Sequence, residues 1–114
     1  MKYLFIFNDS PYGSQRTYNG LRLALALNKQ HEVRVFLLGD GVTSALARLN
    51  PAHADYNSQE MLRQLAMRSV PIGVCRTCLE ARGISDEMLI PEAQRSTMDD
   101  LVAWTEVAEK TLTF

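Results

Sequence analysis

The sequence has few of the features that mark a specialised class of protein. Its 114 residues include only two cysteines, which excludes the disulfide framework of a small secreted domain. Its 12 basic and 13 acidic residues nearly cancel, so no excess charge draws the chain to nucleic acid or to an anionic membrane. The apolar run at the start stops at Asn8, too early for a signal peptide core or a membrane span. We therefore expect one cytoplasmic domain that binds neither nucleic acid nor membrane.

Motifs for nucleotides and metals are also missing. The loop from Asn8 to Ser14 has the turn chemistry of a strand-to-helix connection, but it contains neither a dinucleotide fingerprint nor a P-loop. A single C-x-x-C segment is present, and His31 and His53 are not spaced as ligands of one ion. We therefore expect no metal site within the chain, because a tetrahedral zinc site needs four such ligands.

Compact apolar runs alternate with helical stripes. The runs at 4–7, 33–38 and 70–74 predict buried parallel strands, and the alternating segment 110–114 predicts a last strand. Helices are predicted at 14–30, 42–49 and 57–69, and a final one follows the short apolar run 88–90. This order predicts one α/β domain over 1–114, with a doubly wound, mainly parallel five-stranded sheet and helices on both faces.

Polar residues stand where three of these helices are predicted to begin. Ser14 or the loop before it is expected to cap the first helix, Asn57 or Ser58 the third, and Ser96 or Thr97 the last. Side-chain oxygens at these positions accept hydrogen bonds from the free N–H groups of the first turn.

The segment Cys75-Arg76-Thr77-Cys78 is the strongest candidate for chemistry. It directly follows a predicted strand, and in parallel sheets ligands gather at the carboxyl ends of strands. A helix N-terminus there offers free N–H groups that stabilise a thiolate, and Arg76 and Arg82 add positive charge nearby in sequence. The alternative is that both cysteines are buried apolar side chains and that the two arginines are solvated or structural.

Three loops should meet at this edge of the sheet: 8–13, 39–41 and 75–78. The first loop either turns the chain and caps a helix, or hydrogen-bonds a group delivered to the cysteines. Tyr12 is a packed ring or a ligand contact, and Asp40 carries the same ambiguity. Trp104 and the methionines are expected in the core or at an interface.

Several segments together resemble the DsrE/DsrF-like family. They are the loop Asn8–Ser14, the stretch Val70–Cys78, the residues Arg82-Gly83-Ile84, and Trp104 with the ending Lys110–Phe114. The resemblance implies a flavodoxin-like subunit that assembles as a trimer or hexamer, in a family that includes sulfur-relay proteins with a persulfide on a cysteine. In such members the carrier stands seven residues before the arginine of an Arg-Gly pair, which selects Cys75 here.

The resemblance implies a sulfur carrier, and we expect Cys75 to be loaded by a donor protein, to transfer the sulfur to an acceptor thiol and to need no cofactor. Many relay members have no second cysteine at the position of Cys78. A second thiol there can attack a persulfide on Cys75 and discharge it as sulfide and a disulfide. A non-catalytic oligomeric or small-ligand-binding protein and a Cys75/Cys78 redox pair remain the alternatives. The residues expected to support the cysteines are Asn8, Tyr12, Gly13, Asp40, Arg76 and Arg82.

Overall fold

The computed structural model describes residues 1–51 and 53–114 and contains a five-stranded sheet in which every pairing is parallel. The strand order is β4-β3-β2-β1-β5. The strands are β1 (Lys2–Phe7), β2 (Glu32–Leu37), β3 (Ile72–Cys75), β4 (Gln94–Ser96) and β5 (Lys110–Thr113). The α-helices are α1 (Arg16–Leu27), α2 (Ser58–Met67), α3 (Arg76–Ala81) and α4 (Met98–Val107). The predicted α/β class with a parallel sheet is confirmed.

Helices cover both faces of the sheet. Gly20 of α1 packs so closely on one face that a Cβ there would overlap the ring of Phe7. Trp104 of α4 meets Phe36 edge to face, with ring centroids 5.9 Å apart. Phe7 pairs in register with Leu37, the neighbour of Phe36, so Phe7 and Phe36 point to opposite faces. The sheet is thus buried from both sides, as its continuous apolar strands predict.

The three central strands form the core. Phe5, Phe7 and Val35 are completely buried, and all four residues of β3 are buried as well. β4 and β5 lie at the edges of the sheet and are mostly exposed. This arrangement places the carboxyl end of β3, and with it the cysteine segment, on an interior strand with neighbours on either side.

Two of the three predicted caps are present. The Asn57 side chain accepts a hydrogen bond from the N–H of Glu60, and Thr97 forms a capping box with Asp100. At the first helix the N-cap residue is Gln15, which forms no side-chain cap, and the Ser14 hydroxyl oxygen accepts a hydrogen bond from the Arg16 N–H over 3.4 Å at the start of α1. Ser14 also donates from its hydroxyl to the Asp9 carboxylate, so it connects the loop after β1 to the helix start.

Two further boundaries differ from the sequence pattern. The predicted helix 42–49 is a 3₁₀-helix, Gly39–Ala45, that begins directly after β2. The strand β4 has the polar sequence Gln94-Arg95-Ser96, which an edge strand tolerates because one side of it faces solvent. The apolar run 88–90 lies outside the sheet. Its Leu89 forms an isolated antiparallel bridge with Leu46, and the Ile90 N–H donates to the Ala45 carbonyl oxygen.

Candidate functional site

The two cysteines sit where β3 turns into α3. Cys75 is the last residue of the strand and the N-cap of the helix, and Cys78 is the third residue of that helix. Cys75 is only 3% exposed, Cys78 is half-buried, and both are free thiols. The prediction that the cysteines stand at a strand's carboxyl end is confirmed by this placement.

Cys75 is the more acidic of the two thiols. Burial works to raise the pKa of Cys75, but hydrogen bonds from the Cys78 thiol, the Thr77 hydroxyl and the N–H groups of residues 77 and 78 outweigh it and lower that pKa. The Thr77 Oγ1 lies 3.3 Å from the Cys75 sulfur. The thiolate, which is the nucleophilic form, is therefore favoured on Cys75.

Cys78 shifts in the opposite direction. Burial raises the pKa of Cys78, and the hydrogen bond that it gives to Cys75 raises it further. Two groups act against this rise: the Gly39 N–H, which donates to the Cys78 sulfur over 3.2 Å, and the positive charge of Arg82. The pair is thus divided into a thiol that ionises early and a neighbour that keeps its proton.

Arg82 connects the cysteine helix to the loop after β2. One of its amino groups donates to the Cys78 carbonyl oxygen over 3.0 Å, and the other donates to the Asp40 carboxylate over 2.7 Å. The ion pair is partly solvated, with 70% of the Asp40 side chain exposed. Among the predicted supporting residues, Asp40 and Arg82 are therefore brought directly to the cysteine segment.

Asn8 reaches the same edge of the sheet through its backbone. Its N–H donates to the Phe114 carbonyl oxygen over 2.7 Å, which ties the end of β1 to the residue that follows β5. A Cβ built on Gly39 would lie 3.8 Å from the Asn8 carbonyl oxygen. The loop after β1 therefore touches the loop that contacts Cys78.

Arg76, by contrast, lies on the outer side of α3. Its guanidinium is 4.0 Å from the Glu80 carboxylate, one turn further along, and both side chains are more than half exposed. Its position leaves it available to a partner molecule approaching the helix from solvent.

Tyr12 and Gly13 belong to a different part of the surface. The Tyr12 hydroxyl accepts from the Ser58 N–H over 3.2 Å and donates to the Gln59 side chain, so it braces the loop against α2. Both residues line a cavity of about 660 Å³ whose walls include Tyr18, His53 and Tyr56 but neither cysteine. The structure thus divides the predicted loop between two regions.

Thr77 is the residue that sequence reasoning missed. Its hydroxyl contacts the Cys75 sulfur, yet nothing in its identity separates it from a solvated helix residue. Its place inside the C-x-x-C segment was the only available signal. The Gly39 contact lies in a predicted loop, but a backbone N–H leaves no trace in the residue type.

Neither a candidate metal cluster nor a helix suited to crossing a membrane is present within residues 1–51 and 53–114. Those residues contain no group of three or more histidine, cysteine, aspartate or glutamate side chains able to hold an ion. None of the helices described there combines the length and the apolar character needed to cross a membrane.

Comparisons with known proteins agree with this fold. The model of the DsrE/DsrF-like family matches residues 1–114. The chain belongs to the DsrE/DsrF-like family. The resemblance drawn from the sequence is thereby confirmed.

Two sequence relatives and one structural neighbour of this DsrE/DsrF-like chain are informative. The protein YchN of Escherichia coli (strain K12) is 41% identical over 99% of this chain and 98% of its own. The YchN crystal structure superposes with a TM-score of 0.92 over 99% of this chain and 98% of that one. A sulfurtransferase TusD homolog of Pasteurella multocida (strain Pm70) is 30% identical over 86% of this chain and 80% of its own. MTH1491 of Methanobacterium thermoautotrophicum shares the fold. Its structure superposes with a TM-score of 0.72 over 99% of this chain and 98% of that one, at 17% sequence identity.

Proposed function

We propose that the protein is a sulfur carrier that holds sulfane sulfur as a persulfide on Cys75 and transfers it to a thiol of a partner protein. The observation that carries this proposal is the set of hydrogen bonds that lowers the pKa of Cys75 at the carboxyl end of β3. Membership of the DsrE/DsrF-like family and similarity to a protein named as a sulfurtransferase support it.

The transfer consists of two displacements at sulfur. The Cys75 thiolate attacks the outer sulfur of a donor persulfide, a new S–S bond forms, and the donor leaves as a thiolate. An acceptor thiolate then attacks that same outer sulfur, and Cys75 leaves as a thiolate with the electron pair. A thiol of low pKa is a good leaving group, so the Thr77 hydroxyl and the neighbouring N–H groups assist the second step. No cofactor is required.

The burial of Cys75 limits which atoms can react. Only 3% of the residue is exposed, so bulky reagents reach its sulfur poorly. An added sulfur atom extends about 2 Å beyond Sγ, the length of an S–S bond, and so presents the transferable atom nearer to the surface. We infer that loading makes the site more accessible to an acceptor than the empty thiol is to a reagent.

Most of the other predicted residues take supporting roles in this proposal. Arg82 and Asp40 hold α3 against the loop after β2, and Asn8 supports that loop. Arg76 contributes positive charge on the exposed side of α3, where a donor or acceptor docks. Tyr12 and Gly13 line the separate cavity and take no part in this transfer.

We also propose that the carrier works as a homo-oligomer, a trimer or hexamer, in a reducing compartment. Helix α4 exposes about half of each of three apolar residues, Met98, Val102 and Val107. Contact between subunits would remove this apolar surface from water. Equilibrium sedimentation tests the assembly, and a monomer at micromolar concentration would contradict it.

Intact-mass analysis of anaerobically purified protein tests the carrier role. The protein is exposed to a small persulfide donor, and the wild type is compared with Cys75→Ser and Cys78→Ser. We expect a labile extra sulfur that maps to Cys75 and is absent from Cys75→Ser. If Cys75→Ser still loads while Cys78→Ser does not, Cys75 is not the carrier.

A dithiol redox protein is the second candidate, because two free thiols stand at the N-cap and the third residue of the same short helix. It predicts a reversible Cys75–Cys78 disulfide with a defined potential and no bound sulfur. Equilibration in dithiol buffers of known ratio, followed by alkylation and mass analysis, measures that potential.

A non-catalytic ligand-binding protein is the third candidate, favoured by the aromatic cavity formed by Tyr12, Tyr18 and Tyr56. It predicts slow, unselective alkylation of both thiols. It also predicts ligand binding that is unchanged in Cys75→Ser. Rapid and selective reaction of Cys75 with a small persulfide would exclude it.

A further inference from the structure

Cys78 is held in a way that a spare thiol would not require. Its sulfur accepts a hydrogen bond from the Gly39 N–H at 3.2 Å, and its carbonyl oxygen accepts one from Arg82 at 3.0 Å. These contacts come from the loop after β2 and from the end of α3. The first contact holds the Cys78 sulfur and the second holds its backbone, so a hydrogen-bond donor and a positive charge lie where negative charge would develop on that sulfur.

We propose that Cys78 is a resolving residue, which cleaves the persulfide on Cys75, releases sulfide and leaves a Cys75–Cys78 disulfide. This inference rests on the proposed carrier function and adds a second activity to it. The stored sulfur then has two fates: transfer to an acceptor that arrives in time, or release as sulfide. The partner of the second fate is a dithiol reductant, which returns both cysteines to thiols.

The step balances without an external oxidant. The Cys78 sulfur attacks the inner sulfur of the persulfide, the Sγ of Cys75, and an S–S bond forms between the two cysteines. The bond from Cys75 to the outer sulfur breaks, and its electron pair leaves with that sulfur. The Cys78 proton goes to the departing atom, which becomes hydrogen sulfide. The outer sulfur is reduced, and the two cysteine sulfurs are oxidised to a disulfide.

The positions of the two residues favour this attack over transfer of the outer sulfur to Cys78. Cys75 is the N-cap of α3 and Cys78 is its third residue, and residues three positions apart are neighbours on the first turn of a helix. Cys78 therefore lies beside the Cys75 side chain itself. The outer sulfur stands one S–S bond, about 2 Å, beyond this inner sulfur, the Sγ of Cys75. The Gly39 N–H and the Arg82 charge stabilise the thiolate that forms on Cys78 as it attacks.

The test follows the loss of sulfur after loading. Wild type and Cys78→Ser are loaded anaerobically with glutathione persulfide, freed of small molecules, and sampled for intact mass, for peptide mapping and for released sulfide. In the wild type we expect one equivalent of sulfide and a product lighter than the dithiol by two hydrogens. Cys78→Ser should hold its sulfur at least about tenfold longer, because the intramolecular thiol is lost.

Each other outcome overturns the inference. If the wild type keeps its sulfur as long as Cys78→Ser does, or the sulfur maps to Cys78, Cys78 does not resolve the persulfide although the carrier function stands. If Cys78→Ser folds and never loads, the carrier function and this inference both fail.

A second measurement needs no variant. The wild type is first oxidised to the Cys75–Cys78 disulfide and then treated anaerobically with inorganic sulfide, which drives the same step in reverse. We expect one added sulfur on Cys75 and one free thiol on Cys78. An adduct that maps to Cys78, or a disulfide that sulfide does not open, would overturn the proposal.

Discussion

The N–H of Gly39 donates to the sulfur of Cys78, a residue 39 positions further along the chain, over 3.2 Å. This contact joins the loop after β2 to the helix after β3. Because the donor is a backbone group, the loop conformation itself decides where the hydrogen bond points. The chemistry of Cys78 therefore depends on a residue without a side chain.

Gly39→Ala should disturb this contact. Gly39 has a φ of 57°, a left-handed conformation that costs an alanine about 1–2 kcal/mol. We expect a loss of stability of that order, and a higher pKa for Cys78 because its donor moves. Urea unfolding and the pH dependence of Cys78 alkylation measure the two effects.

Gly83→Ala is the matched control. Gly83 has a φ of 65° and open space around its Cα, so its backbone cost is similar, but it donates to the Glu80 carbonyl oxygen rather than to a sulfur. It should lose stability without altering the titration of Cys78. An equal change of that titration in both variants would show that the Gly39 contact has no specific effect.

Thr77→Val should make Cys75 less reactive near neutral pH. The hydroxyl that lowers the pKa of Cys75 is lost, while the side chain keeps nearly the same shape. The midpoint of thiolate formation, followed by ultraviolet absorbance, should move to higher pH. Thr77→Ser keeps the hydroxyl and should leave the midpoint in place; a midpoint that moves equally in both variants would rule out the hydrogen bond as the cause.

The two thiols should titrate as a coupled pair. Cys78→Ala removes a hydrogen-bond donor, so the pKa of Cys75 should rise, and Cys75→Ala removes the group that raises the pKa of Cys78, so that pKa should fall. Cys78→Ser retains a donor and should give the smaller change on Cys75. Shifts in the reverse directions would contradict the division of roles between the thiols.

The same coupling has a consequence for stability. Because folding lowers the pKa of Cys75, its thiolate contributes stability above the ordinary thiol pKa, and this contribution is lost as the pH falls through the lowered value. The difference in unfolding free energy between wild type and Cys75→Ala should therefore grow with pH across that window. A difference that is constant with pH would contradict the lowered pKa.

Gly41→Ala should be more damaging than any substitution at the cysteines. A Cβ on Gly41 would overlap the Phe7 carbonyl oxygen and stand 2.6 Å from the Phe7 carbonyl carbon. Backbone cannot yield as a flexible side chain can, so we expect a loss of about 3 kcal/mol or failure to fold. Thermal unfolding measures the loss. Gly13→Ala meets no atom within 4 Å but adopts a φ of 109° that strains an alanine, so a smaller loss in Gly13→Ala than in Gly41→Ala separates steric overlap from backbone strain.

Much of the sheet was predictable because its strands are buried on both faces. Val33 to Leu37, apolar except for Arg34, and Ile72 to Val74 are short runs typical of a parallel sheet covered on both faces, and the structure places them side by side. β4 was not predictable in this way. An edge strand of three residues that is held by its neighbour's backbone needs no apolar pattern.

The site shows the same division. The thiols were visible as residue types, and the rule that ligands gather at strand ends located them. The contacts that shift the pKa values of the two thiols could not be predicted from residue types. Gly39 donates through its backbone N–H, and the Thr77 hydroxyl reaches Cys75 only in one side-chain conformation. Tyr12 was expected near the cysteines from its loop, yet the packing of that loop against α2 turns its ring to a separate cavity.

The position of β1 between β2 and β5 affects how the sheet is completed during synthesis of the chain. The N–H of Lys2 in β1 bonds to the side chain of Glu109, 107 residues later and directly before β5. At about 5–20 residues per second, a ribosome adds that stretch in roughly 5–20 s, and throughout it one edge of β1 has no strand to pair with. The newly made chain therefore offers an open strand edge to its neighbours on the polysome, and β5 is the segment that closes it.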